Sequence, residues 1–83
     1  MIHLTKLAPE LNQRRYYHMH IEAGLFGDWG LVREWGRIGH GGQHRTDWFS
    51  CQSDAEAAQT VLVGQKRRRG YKNVEEERKT DAN

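Results

Sequence analysis

Cysteine is almost absent from this sequence, and long apolar runs are absent altogether. Cys51 is the only cysteine in 83 residues, so the chain can form no internal disulfide and no cysteine-based zinc site. The N-terminal segment has neither the basic start nor the apolar core of a signal peptide, and no stretch is long enough to span a membrane. We therefore expect a soluble, cytoplasmic protein that makes no membrane contact.

The balance of charge is nearly even, but the charges are unevenly distributed. Thirteen Lys and Arg residues stand against eleven Asp and Glu residues, which gives a formal net charge of +2. Four of the cations are consecutive at Lys66–Arg69, and three glutamates follow at Glu75–Glu77. A chain of this length has room for a single core. The sequence therefore predicts one small domain with a local positive pole and an acidic tail.

Alternation of apolar and polar side chains predicts a β-sheet in the first two thirds of the chain. Tyr17, Met19 and Ile21 alternate with polar residues at the two-residue period of a half-buried strand in the segment 15–22. The segments 29–38 and 45–51 continue the β-type pattern after turns that are rich in glycine. Three antiparallel strands are the simplest interpretation, and we expect a sheet of three to five strands.

One helix is predicted to follow the strands. The segment 53–56, Ser-Asp-Ala-Glu, fits a capping box, which predicts that the helix begins there. A narrow apolar stripe follows helical spacing at Ala55, Ala58, Val61, Leu62 and Gln65. Gly70 suits a left-handed C-cap with Tyr71 folded back onto the last turn. Residues 1–71 are thus predicted to form one domain, and residues 72–83 a short extension with a disordered charged tail.

The histidines and the cysteine allow two further functions, metal binding and nucleophilic catalysis. His18 and His20 share one face of a strand at a spacing that can chelate a transition metal, with His40 or His44 as a third ligand. No third ligand has a dependable spacing, so we interpret these histidines as a polar strand face. Cys51 lies in no nucleophile motif. We expect no metal, no cofactor and no catalytic activity.

A tryptophan and an arginine flank a glycine at residues 35–37, and more glycines follow up to residue 42. An exposed indole can stack on a nucleic-acid base, which is worth about 1 to 3 kcal/mol, and a guanidinium can grip a phosphate with two hydrogen bonds. Trp35 can equally be a core residue, and Arg37 can brace the turn. Trp29 and Trp48 are assigned mainly to the core.

Several motifs in a fixed order resemble a WGR domain, and they extend from about Leu4 to Tyr71. They are Arg15-Tyr16-Tyr17, Leu25-Phe26-Gly27-x-Trp29, Trp35-Gly36-Arg37-Ile38-Gly39, Gly42-Gln43, the helical Ala58 and Lys66-x-x-x-Gly70-Tyr71. The resemblance implies an α+β fold in which one long helix packs on a twisted antiparallel sheet. Similar domains in poly(ADP-ribose) polymerases help to recognise DNA breaks. Their motif Trp stacks near a strand end and their motif Arg makes polar contacts.

The resemblance therefore implies a non-catalytic nucleic-acid-binding module, with DNA favoured over RNA and strand ends or breaks as the target. The length leaves no room for zinc fingers or a transferase fold, so we expect no ADP-ribosylation. The predicted surface comprises Trp35, Gly36, Arg37, Gln43, Arg45, Lys66, Arg67, Arg68 and Arg69. The alternative is a protein-interaction module that uses the same Trp-Gly-Arg surface, and the oligomeric state stays open.

Overall fold

A computed structural model describes residues 1–74 of the chain. The elements in chain order are β1 (Ile2–Ala8), a single 3-10 turn (Pro9–Leu11), β2 (Gln13–Ala23), β3 (Trp29–Arg37), β4 (Gln43–Phe49), α1 (Gln52–Arg68) and β5 (Lys72–Asn73). The five strands form one antiparallel sheet in the order β4-β3-β2-β1-β5. The predicted small α+β fold is confirmed, and its one helix follows the first four strands.

The core lies between α1 and the central strands of the sheet. Leu4, Tyr17, Met19 and Leu31 form its buried cluster, and Ala55 is the buried residue of the helix. The strand residues share one face because side chains alternate along each strand and the register pairs Leu4 with Tyr17. Around this cluster pack Ile2, Ile21, Trp35, Phe49, Ala58, Leu62, Val63 and Tyr71. The alternation predicted for β2 is therefore confirmed.

The first strand was not predicted, although its sequence alternates in the same way. Ile2 and Leu4 point toward the helix side, between polar residues such as His3 and Thr5. The last strand, β5, pairs antiparallel with β1 at Leu4 and Thr5. The division between domain and extension at residue 71 stays a prediction, and the predicted charged tail lies outside the described residues from residue 75 onward.

Trp48 does not belong to the core, which corrects the sequence-based assignment. The register places it opposite Gly30, on the sheet face that α1 does not cover, and 55% of its surface is exposed. Its ring lies over Gly30, where an added Cβ would come within 3.1 Å of it. Trp29 is half-buried and is not among the side chains that pack on the core cluster. The alternation along β4 explains the error, because residues 44, 46 and 48 all face away from the helix.

The predicted start of the helix is also wrong. Helix α1 begins at Gln52, with Cys51 in an extended conformation as its N-cap and no side-chain hydrogen bond at the cap. Ser53 lies inside the first turn, where its hydroxyl contacts the Cys51 thiol at 3.2 Å. The predicted apolar stripe differs at two positions as well, because Val61 and Gln65 are both exposed. Val61 is 58% exposed, whereas Val63 is partly buried against the core.

The predicted end of the helix is confirmed in detail. Gly70 has a φ of +99°, which glycine adopts without steric cost. The N–H of Gly70 donates to the carbonyl of Arg67, and the N–H of Tyr71 donates to the carbonyl of Lys66, both at 3.0 Å. These two bonds define a Schellman motif. They turn the chain back toward the sheet and hold Tyr71 beside Lys66.

Candidate nucleic-acid interface

Three cations lie side by side across three strands at one end of the sheet. Arg15 of β2 lies directly opposite Lys6 of β1 and directly opposite Arg37 of β3. The three share the helix-facing side with Tyr17 and Trp35, because residues two apart on a strand point the same way. Like charges in direct cross-strand pairs destabilise a sheet. An anion bound along this row would relieve that repulsion.

The end of α1 adds further cations to the row. Lys66 in the last turn of the helix and Arg69 at its C-cap border an open groove of about 470 Å³ that we call the basic groove. Its lining consists of Lys6, Asn12, Gln13, Arg14, Arg15, Tyr17, Trp35, Gly36, Arg37, Lys66, Arg69 and Tyr71. Six of these residues are cations, and no carboxylate is among them. The groove is therefore a strongly positive depression that suits a polyanion.

Trp35 is partly a core residue and partly a wall of the basic groove. Its ring stacks on that of Tyr17, with the centroids 5.8 Å apart and the planes 16° from parallel. Tyr17 is only 3% exposed, whereas Trp35 is half-buried. Arg33 holds this pair from the side, since its guanidinium donates to the Tyr17 hydroxyl at 3.1 Å and to Asp47 at 2.8 Å. The indole is thus fixed in place before any ligand arrives.

Lys66 is a half-buried cation of the groove and lies against two aromatic rings. Its ammonium lies 4.5 Å from the centroid of the Tyr17 ring and 5.9 Å from that of Tyr71, in cation–π contact with both. Burial lowers the pKa of Lys66 below the ordinary lysine value, and the nearby charges of Arg69 and Arg33 lower it further. A phosphate in the groove would oppose these effects, because it stabilises the charged form.

The glycine between Trp35 and Arg37 serves the packing of the β3–β4 hairpin. A Cβ on Gly36 would lie 2.9 Å from the Cα of Gly42 and 3.4 Å from the ring of Tyr16. The turn that follows reverses at Gly39, whose φ is +85°. At Gly36 the neighbouring space is already taken by the chain itself.

The structure brings together five of the nine residues predicted for the interface. Trp35, Gly36, Arg37, Lys66 and Arg69 line the basic groove, whereas four others do not, namely Gln43, Arg45, Arg67 and Arg68. Successive helical residues point about 100° apart, so a run of four cations cannot face one groove. Arg45 instead donates to Asp47 at 2.9 Å. The binding roles of all nine residues stay predictions.

Three cations of the groove, Lys6, Arg14 and Arg15, were not among the residues predicted for the interface. Arg15 lies two residues before Tyr17 on a strand that was predicted, so its position on the same face was a usable signal. Lys6 gave no comparable signal, because β1 had not been assigned. Arg14 lies at the start of β2, where its carbonyl accepts the N–H of Ile38 at 2.9 Å.

The histidines of the strands lie on the sheet face opposite α1. His3 and His18 meet edge to face with their centroids 4.4 Å apart, and His20 contacts the carboxylate of Glu22 at 3.3 Å. Burial lowers the pKa of His18, and the charge of His3 lowers it further. Residues 1–74 contain no group of three or more His, Cys, Asp or Glu that could hold a metal ion. Within the same range, no helix combines the length and apolar character needed to cross a membrane.

Comparison with known proteins places this chain in a family. It is 45% identical over 71 residues to Uncharacterized protein y4dW of Sinorhizobium fredii. The match covers 86% of this chain and 35% of that protein, so the chain spans about a third of the relative's length. No solved structure matches it significantly. The family model for the WGR domain matches residues 1–78. In poly(ADP-ribose) polymerases the WGR domain is a non-catalytic module of the nucleic-acid-binding type. Because the family model matches nearly the whole of this chain, the chain belongs to the WGR domain family.

Proposed function

We propose that this WGR domain binds nucleic acid in the basic groove and that strand ends or breaks in DNA are its preferred target. The observation that carries the proposal is the cross-strand row of Lys6, Arg15 and Arg37. Like charges in such pairs repel. Another arginine pair of the sheet, Arg33 opposite Arg45, is bridged by the carboxylate of Asp47, whereas no carboxylate of residues 1–74 lines the groove beside this row. A row that is unfavourable in the free protein and faces a groove without carboxylates is best explained by a polyanionic ligand.

The chemistry of binding follows from the lining of the groove. Guanidinium groups of Arg15 and Arg37 can each donate two hydrogen bonds to a phosphate. Neutralising the phosphates releases counterions from the nucleic acid, so the affinity should fall steeply as salt is added. Such contacts hold the backbone and carry no sequence information. We therefore expect binding without sequence preference.

Preference for an end rests on Trp35. Inside a continuous duplex both faces of each base pair are covered by the neighbouring pairs, whereas an end or a break leaves one face free for an aromatic ring. The half-buried indole forms a wall of the groove beside Arg37 and can meet that free face. A stacked base contributes about 1 to 3 kcal/mol. DNA is favoured over RNA because of the role that similar domains have in poly(ADP-ribose) polymerases.

Fluorescence anisotropy with a matched set of oligonucleotides tests the proposal. The set comprises a DNA duplex closed at both ends by hairpin loops, the same duplex with one nick, a blunt-ended duplex, a single strand and a blunt RNA duplex. We expect the tightest binding to the nicked and blunt-ended DNA. Equal affinity for the closed duplex would contradict the preference for ends, and a tighter RNA complex would contradict the preference for DNA.

The same titration separates this function from the alternative of a protein-interaction module. A groove that neutralises phosphates gives an affinity that falls steeply with salt concentration, whereas a partly apolar protein interface is much less sensitive. The absence of measurable binding to every oligonucleotide at low salt would favour the protein partner.

A further inference from the structure

Strand β4 forms one edge of the sheet, and its outer side has no neighbour within residues 1–74. It runs for seven residues, Gln43–Phe49, without proline. An uncovered edge of this length presents free backbone N–H and C=O groups and can pair with another strand. This edge lies on β4, which contributes no side chain to the lining of the basic groove.

The backbone hydrogen bonds reveal which groups of β4 point outward. Ile38 donates to the carbonyl of Arg14, and Gly24 donates to that of Asp28, so the even-numbered residues of β3 bond toward β2. The odd-numbered residues of β3 then bond toward β4, where they pair with odd-numbered residues. The N–H and C=O groups of His44, Thr46 and Trp48 therefore face away from the sheet.

The sequence of β4 is complementary to itself when two copies run antiparallel about Thr46. In that register Arg45 of one copy lies opposite Asp47 of the other, and His44 lies opposite Trp48. The three outward residues form hydrogen-bonded pairs, which supply six backbone hydrogen bonds across the edge. Arg45 and Asp47 then fall at the non-hydrogen-bonded pairs, where the facing side chains are closest. Charge and hydrogen-bond geometry thus favour the same register.

We propose that β4 pairs with β4 of a second copy of this chain, antiparallel about Thr46, to form a two-fold symmetric dimer. The two sheets would join into one sheet of ten strands, with both helices and both basic grooves on the same face. Closed two-fold pairing is the commonest form of homo-oligomer and leaves no free β4 edge. A strand pair of seven residues buries little surface, so we expect association only at high protein concentration.

Sedimentation equilibrium over a range of concentrations up to about 1 mM tests the dimer. The Thr46→Pro variant removes an outward N–H and leaves the bonds between β3 and β4 intact, and proline is tolerated at such edge positions. Thr46→Ala keeps the N–H and serves as the matched control. We expect a monomer–dimer equilibrium for the wild type and for Thr46→Ala, and a monomer for Thr46→Pro. Circular dichroism verifies that each variant is folded.

A second variant keeps the test decisive if Thr46→Pro fails to fold. Arg45→Asp places two carboxylates opposite each other across the proposed interface, and Arg45 is exposed on the monomer. We expect at least a tenfold weaker dimer at low salt. A wild type that stays monomeric throughout, a folded Thr46→Pro that still dimerises, or an Arg45→Asp with unchanged association overturns the proposal. Loss of the dimer in Thr46→Ala also overturns the proposal, because association would then depend on the Thr46 side chain and not on the main-chain hydrogen bonds.

Discussion

Arg15 and Arg37 lie directly opposite each other on β2 and β3, two cations in one cross-strand pair. Their repulsion lowers the stability of the free protein, and a bound polyanion removes it. Arg37→Gln should therefore raise the free energy of unfolding at low salt, by at most about 1 kcal/mol, while it weakens binding to nucleic acid. A residue kept for stability alone would show the opposite change.

Urea unfolding at two salt concentrations measures the first half of this prediction. The stabilisation should be clear at low ionic strength and should vanish near 1 M salt, where the Debye length is about 3 Å. Arg68→Gln is the matched control, because it removes the same charge from an exposed position outside the groove. Equal stabilisation by both variants would mean that only the net charge matters.

Trp35→Ala should fold and should lose affinity for nicked DNA. Truncation of a fully buried tryptophan costs about 3 to 5 kcal/mol, so a half-buried ring stacked on Tyr17 should cost roughly half of that. The binding free energy should fall by about 1 to 3 kcal/mol if a terminal base stacks on the indole. Trp35→Phe keeps a ring against Tyr17 and is the control for stability. Wild-type affinity in a folded Trp35→Ala protein would exclude the stacking role.

Gly36→Ala should destabilise the protein more than Gly41→Ala does. A Cβ at Gly36 would lie 2.9 Å from the Cα of Gly42, and a backbone atom cannot move aside cheaply. A Cβ at Gly41 meets nothing within 4 Å, so that variant tests the general cost of changing a glycine in this turn. The thermal midpoints of the two variants measure this difference in stability. Similar midpoints for the two variants would show that the hairpin tolerates a side chain inside the Trp-Gly-Arg motif.

His18 should make the stability of the protein depend on pH in the acid range. Burial and then the charge of His3 hold the pKa of His18 below its ordinary value of 6.5. Between the lowered pKa and 6.5 the unfolded chain binds more protons than the folded one, so the free energy of unfolding falls as the pH falls. His18→Gln removes this contribution and should lose less stability between about pH 8 and about pH 5. Urea midpoints that decline in parallel for both proteins would contradict the assignment.

Much of the fold could be predicted from local sequence patterns. The alternation of Tyr17, Met19 and Ile21 identified β2 because one face of that strand is buried. Gly70 identified the end of α1 because few residues other than glycine adopt its φ. The start of the helix was misjudged because Ser53 fits a capping box in the sequence, whereas the N-cap residue, Cys51, lies two residues earlier and makes no side-chain hydrogen bond. Strand β1 was missed because only two of its seven residues, Ile2 and Leu4, follow the apolar alternation.

The site could be predicted only in part, because it depends on the register between strands. Trp35 and Arg37 stand in a recognisable motif, and Lys66 stands in a conspicuous basic run. The pairing of Lys6 with Arg15 joins residues on either side of the Pro9–Leu11 turn, and no local pattern specifies which residues will face each other there. Which cations of the basic run line the groove and which face solvent depends on the orientation of the last helical turn, and the sequence alone does not specify that orientation.

The salt dependence of affinity for nicked DNA, measured on the wild type and on two single variants, tests the central claim most directly. Each phosphate contact contributes about 0.9 to the slope of log K against log salt concentration for duplex DNA. Our account predicts that Arg37→Gln reduces the magnitude of that slope by about one and weakens binding, while Arg68→Gln leaves both nearly unchanged. Equal effects of the two variants, or an unchanged slope in Arg37→Gln, would contradict a nucleic-acid site in the basic groove.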